Sequence, residues 1–231
     1  MEKEQDNKKY RLIPVPKTGM YRVFYTKNVI SPSGKIVANF GEYGGLVEND
    51  ESLSQEGSCV VLGGAMVMNG AKVCDDAIVC SKALITGNSV VGGNARVMGS
   101  CVVSGNTVVK DSAIIGGNVC ITDNSMIVGN AEVNGGAIIN NSVVLGNAYI
   151  SDRAIIENKS QVKDGASIID SARLSGSRIS GDAIIGGNAS LINCSAYYGV
   201  KITKGNLVSR VLCKSSDENE DTESEEDEYI F

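Results

Sequence analysis

Aliphatic side chains return along this chain at every sixth position. From Val61 the series runs through Val67, Val73, Val79, Ile85, Val91, Val97, Val103, Val109, Ile115, Ile121, Ile127, Val133 and Ile139 to Leu145 without interruption. If about one residue in three were Val, Ile or Leu, such a run would arise by chance less than about once in a million. Four residues after each anchor stands a small or short-branched residue, among them Ala65, Ala71, Ala77, Ala83, Ser89, Ala95, Cys101, Thr107, Ala113, Val119, Ser125 and Val143. Six is not a multiple of 3.6, so a helix would wind this stripe around its surface. Gly-Asn pairs at 87, 93, 105, 117, 129 and 187 fall between anchor and small residue. These residues tolerate positive φ and permit a sharp corner every six residues. Short strand, corner, short strand is the unit of a solenoid. One residue is expected to be missing between Leu145 and Tyr149, with the register resuming at Ile150, Ile156, Val162, Ile168 and Leu174. A second drop leads to Ile179, Ile185 and Leu191.

Composition supports a narrow, regular interior. Glycine is plentiful at 27 residues, Trp is missing and Phe numbers only 3, so aromatic rings do not fill the core. The expected organisation is a short disordered start (1–9), an N-terminal β cap (10–57), a repeat region (58–196), closing strands (197–214) and a disordered acidic tail (215–231). Within the cap, strands are expected at Tyr10–Val15, Met20–Ile30 and Lys35–Phe40, separated by turn signals at 16–19 and 31–34.

The repeat resembles the hexapeptide-repeat, left-handed parallel β-helix superfamily, and Ile115-Gly116-Gly117-Asn118-Val119-Cys120 is very similar to its motif. The resemblance implies an all-β, single-stranded solenoid with three hexads per coil, hence seven to eight coils over 58–196. A two-sided coil or a right-handed helix could instead use the twelve-residue recurrence of Gly-Asn between 93 and 129. The segments 41–48 and 53–59 resemble the N-terminal module of the YdcK-like group, proteins labelled transferases without an established reaction, although Leu46 stands where that group tends to carry Trp.

Many hexapeptide-repeat proteins are acyltransferases whose general base is a histidine poised near neutral pH. This chain contains 0 histidines, and the repeat runs from 61 to 149 without an inserted loop. Conventional acyl transfer is disfavoured, and carbonic-anhydrase-like metal chemistry lacks its ligands. No catalytic, cofactor-binding or metal-binding residue is assigned. Asp75 and Asp76 are corner residues, where Asp is favoured for backbone reasons. Cys74 and Cys80 have no base placed to activate them. The seven cysteines form no CxxC pair, so neither a zinc site nor a disulfide framework is expected.

The net charge of −6 hides a split. Residues 215–231 carry nine acids and no base, which leaves the remaining body with 18 acids and 21 bases. Its bases are scattered, so nucleic acid is an unpromising partner. The tail ends in Tyr229-Ile230-Phe231 and resembles the acidic, Phe-ending tip of bacterial single-stranded-DNA-binding proteins. That resemblance implies docking on a basic, apolar pocket of a partner protein. With no apolar span or leader visible, the cytoplasm is the expected compartment. The expected role is a non-catalytic scaffold or binding module acting as a homo-oligomer, with a trimer favoured by the resemblance. A CoA-dependent acyltransferase with an unorthodox base and a phage-type sequestering or inhibitory protein are the alternatives.

Overall fold

The structure, a computed structural model, describes residues 8–213. The chain is all-β and coils into a left-handed parallel β-solenoid of about nine turns. Three sheets form the walls of a triangular prism, one with 12 strands and two with 9. Face I contains Met66–Val67, Leu84–Ile85, Val102–Val103, Cys120–Thr122, Ile138–Asn140, Ile155–Glu157, Arg173–Ser175, Ser190–Ile192 and Asn206–Val208. Face II runs from Lys72–Val73 to Val211–Cys213, and face III from Val60–Val61 to Lys201–Ile202. The chain visits III, I and II in turn, so the twelve-residue recurrence of Gly-Asn does not mark a two-sided coil.

Each wall is built by the same device. The second residue of each strand points inward, and Val97, Val103, Val109 and Ile115 are fully buried. Backbone N–H groups of one coil donate to carbonyls of the next, as from Val102 to Val119 at 2.9 Å and from Ser104 to Ile121 at 2.9 Å. Corners are set by residues in the left-handed region, such as Gly93 (φ 61°) and Asp111 (φ 57°). At Gly93 an added Cβ would lie 2.7 Å from the backbone nitrogen of Asp111, one coil on, so close stacking as well as φ requires glycine.

The first register drop is not where the anchor series placed it. Val144, not Leu145, faces inward beneath Ile127, and Ser142, not Val143, fills the corner. The missing residue is therefore removed at Asn140–Ser142, where Asn141 (φ 44°) closes a tighter turn. The second drop, between Leu174 and Ile179, lies at the same I-to-II corner, as does the step from Leu191 to Ala196. From Cys120 onward the face I strands are three residues long, and the corner after them takes either the full or the shortened step.

That corner also has its own chemistry. At the other two corners the residue at the small position is mostly alanine, and its N–H donates to the carbonyl three residues back, as Ala95 does to Gly92 at 3.3 Å. At the I-to-II corner Ala71 does the same in the first coil, and from Ser89 onward buried hydroxyls make this bond. Ser89 donates to Thr86 O at 2.8 Å, Thr107 to Ser104 O at 2.7 Å, and Ser125 to Thr122 O at 2.7 Å. No buried side-chain polar atom among the described residues lacks a partner, as a polar column inside an apolar core requires.

At the N-terminal end β1 (Tyr10–Pro14), β2 (Tyr21–Tyr25) and β5 (Tyr43–Val47) form an antiparallel set, while β3 (Val29–Ile30) pairs with β4 (Ile36–Ala38). The expected strand Met20–Ile30 is thus two strands broken at 26–28. β5 is the splice, antiparallel to β2 and parallel to Met66–Val67. Gly44 and Gly45 permit it, since a Cβ on Gly45 would lie 2.4 Å from the carbonyl oxygen of Ala65. At the other end the ladders continue past residue 196 through 201–202, 206–208 and 211–213, so the closing segment extends the same three sheets. These extensions at both ends explain why there are more turns than 58–196 alone accounts for.

Candidate interaction surface

With the inward residues fixed by packing, the outward ones distinguish the three faces. On face I the residue before each anchor forms a column in strict parallel register: Leu46, Met66, Leu84, Val102, Cys120, Ile138 and Ile155. All seven are apolar. They are half-buried by one another, except Ile138, which is exposed. The column stops at Arg173, whose guanidinium pairs with Glu157. On face II the corresponding apolar run is shorter, Val90, Val108, Met126 and Val143, bounded by Lys72 and Gln161. On face III apolar and charged residues alternate as Ile78, Arg96, Ile114 and Glu132. A sheet that buries one side and shows the other to water normally carries polar residues outside; here one of three outer faces is apolar along seven strands.

The corners carry polar groups engaged in holding the coils together. Asn88 donates to Asn106 at 3.2 Å and Asn106 to Asn124 at 3.0 Å, forming an amide ladder along the I-to-II edge. Asp75 Oδ2 accepts the Gly93 N–H at 2.8 Å, which holds its carboxyl below the usual carboxylate range. Asp76 accepts both the N–H (2.9 Å) and the hydroxyl (2.7 Å) of Ser58. The paired carboxylates thus staple coils, as corner residues should. Burial and the adjacent Asp75 carboxylate push the Cys74 thiol up to about 11, so it is a poor nucleophile at neutral pH. A shallow depression at the III-to-I corner is lined by Asn118, Gly136, Asp152, Arg153, Asp170 and Ser171. Its acids are also committed, Asp152 to the Ser151 hydroxyl at 2.6 Å and Asp170 to the Gly187 N–H at 2.7 Å.

One buried cation lies under the cap. Lys9 Nζ donates to Glu56 O (3.2 Å) and Gly57 O (3.3 Å) and contacts Cys59 Sγ at 3.2 Å. Burial lowers the ammonium pKa and raises that of the thiol, so both groups are displaced toward neutrality. With both residues almost fully enclosed, the pair anchors the N-terminal strand and is not open to substrate.

Among the described residues no three His, Cys, Asp or Glu side chains gather around a metal-sized space. None of the helix-type spans able to cross a membrane is present among them either. Tyr229, Ile230 and Phe231, the expected docking residues of the tail, lie outside the described residues. The face I column escaped the six-residue reading because that period selects inward positions. A step of 18 residues from Met66, through Leu84, Val102 and Cys120 to Ile138, would have shown it. No protein-family model matches the chain, and no curated protein does.

Proposed function

We propose that the protein is a non-catalytic solenoid scaffold that self-associates through face I. The observation that carries this reading is the apolar column from Leu46 to Ile155 on a wall whose described coils follow one another without an inserted loop. Seven strands at about 4.8 Å spacing give a strip roughly 29 Å long. A flat wall of that length, with its flanking residues, approaches the roughly 800 Å² per partner of a standard stable interface. A second copy of the chain offers the same rigid, matching strip, and this is how symmetric oligomers form. A trimer, as the hexapeptide resemblance implies, would set face I of one copy against another face of the next, and the shorter apolar run on face II is the complement. The cytoplasm is the compartment that suits seven free thiols.

The likeness of 41–59 to the YdcK-like group fits a hexapeptide-repeat origin and specifies no reaction. Acyl transfer is the reading to displace. It would need a base other than imidazole, and the carboxylates described above are hydrogen-bonded within corners. Val102→Asp combined with Ile138→Lys changes only outward positions. Sedimentation of the wild-type chain is expected to give an oligomer and the double variant a monomer with an unchanged circular dichroism spectrum. A wild-type monomer at 100-fold the working concentration, or turnover of acetyl-CoA by the purified protein, overturns the proposal.

A further inference from the structure

Lys9 and Cys59 stand 50 residues apart in sequence, and their Nζ and Sγ atoms meet at 3.2 Å. The lysine is held there at both ends. Its backbone N–H donates to Gln55 Oε1 at 2.9 Å, and its side-chain nitrogen donates to the carbonyls of Glu56 (3.2 Å) and Gly57 (3.3 Å). Burial favours the neutral amine, whose two N–H bonds those carbonyls take while its lone pair is left for the sulfur. Among the described residues, the other polar atoms against Sγ are carbonyl oxygens of Ser54 (3.5 Å), Glu56 (3.7 Å) and Val73 (3.7 Å), none of them a nucleophile. The cover over the pair is thin, since Glu56 and Gly57, whose carbonyls touch Nζ, are themselves exposed. Local opening of that segment admits an oxidant as small as hydrogen peroxide.

We propose that this pair is a site of oxidative modification, at which hydrogen peroxide converts the Lys9–Cys59 contact into a covalent sulfenamide. In the first step Sγ attacks one peroxide oxygen. An S–O bond forms, the O–O bond breaks, and the departing oxygen takes the thiol proton and leaves as water. In the second step the Lys9 lone pair attacks the oxidised sulfur. An N–S bond forms, the S–O bond breaks, and hydroxide leaves as water with a proton from nitrogen. Sulfur gives up two electrons, and one peroxide becomes two waters. The separation of 3.2 Å lies within the roughly 3–3.5 Å from which oriented groups react. The new bond closes a loop that contains all five cap strands, β1 to β5, and ties the edge strand of the 12-stranded sheet to the first coil. Such a cross-link stabilises chiefly by restricting the unfolded chain.

The test treats the full-length protein with hydrogen peroxide, alkylates the remaining thiols under denaturing conditions and maps the digest by mass. The expected product joins the peptides containing Lys9 and Cys59, weighs two hydrogens less than their sum, resists trypsin after Lys9 and separates on adding dithiothreitol. Cys59 recovered as an alkylated thiol, as a sulfinic acid, in a disulfide or in a bridge that retains the oxygen overturns the proposal. Lys9→Met removes the nucleophile, so its Cys59 is expected as a sulfenic acid that dimedone traps, with no cross-link. Unfolding supplies a second readout. Peroxide is expected to raise the urea midpoint of the wild-type chain and to slow exchange of amides 10–14 by about tenfold. Dithiothreitol should reverse both changes, and Cys59→Ser should show neither. A midpoint that rises equally in Cys59→Ser also overturns the inference.

Discussion

The two ends of this solenoid carry the same burden and meet it differently. At the N-terminal end the first coil lies beneath a folded cap in which Tyr10 and Tyr25 are buried to 1% and 0% exposure. The Tyr25 hydroxyl donates to Val61 O at 3.1 Å and accepts the Val61 N–H at 3.0 Å, so one phenol satisfies both backbone groups of an edge residue. At the C-terminal end the rows that should be inward end in Ile202, Leu207 and Leu212, each partly exposed. Coils of a solenoid contact only their neighbours, so stability is a sum over interfaces and the outermost ones are decided by what covers them. The cap end is held by packing and fixed hydrogen bonds, whereas the last described coil leaves its inward residues partly exposed.

The largest expected difference follows from this packing. Tyr25→Ala removes a fully buried ring and leaves Val61 without its two hydrogen-bond partners, at a cost of about 3–5 kcal/mol. Leu212→Ala, in the equivalent layer at the other end, should cost about 1 kcal/mol because its site is already half open to water. Urea midpoints of both variants measure the gap. Equal losses would mean that the two ends are equally well covered.

Alkaline pH should separate the ends next. Burial raises the phenols of Tyr10 and Tyr25 above their ordinary value near 10, and burial raises Cys59 above 9. In each case the folded state keeps a proton that the unfolded chain releases, so stability falls as pH rises through 9 to 10 and beyond. Lys9 works in the opposite sense. Its lowered folded pKa means that the unfolded chain holds the extra proton below about 10.5, and stability gains as pH approaches that value. Around the cap three groups oppose one, and the raised thiols of Cys74 and Cys101 beyond it act with the three. Stability should therefore decline steeply above pH 10. Tyr25→Phe should lessen that slope by up to about 1.4 kcal/mol per pH unit while costing stability at pH 8. A slope unchanged by the substitution would remove Tyr25 from the account.

The sequence made the interior readable because a six-residue period repeats one geometric requirement more than twenty times. Val97, Val103 and Val109 could each be assigned inward from spacing alone. Leu145 was misassigned because Val143-Val144-Leu145 offers three aliphatic side chains in succession, and only the tighter turn at Asn141 decides that Val144 faces the core. The splice at Tyr43–Val47 was hidden for another reason. A strand that is antiparallel on one edge and parallel on the other has no periodic signature, and its glycines are explained only by the carbonyls of Val61 and Ala65 that they approach. The apolar outer column was present in the sequence but at a spacing of 18, which becomes meaningful once the coil is known to have three sides.

The smallest effect concerns the charged ties along the prism. Lys72 reaches from the first face II strand to Glu51 in the segment leading out of the cap, at 3.4 Å, with side chains 54% and 76% exposed. A single, long contact in solvent is largely screened, so Lys72→Met should alter stability by less than about 0.5 kcal/mol. Nearer the C-terminal end Arg173 presents both Nε and Nη2 to Glu157 across adjacent coils, and the glutamate is only 24% exposed. Two donors on one partly shielded carboxylate make a stiffer pair, so Arg173→Met should cost about 1 kcal/mol and lose much of that difference in 0.5 M salt. If Lys72→Met proved the more damaging substitution, the cap would depend on surface charge after all, and the contrast between a packed end and an open end would fail.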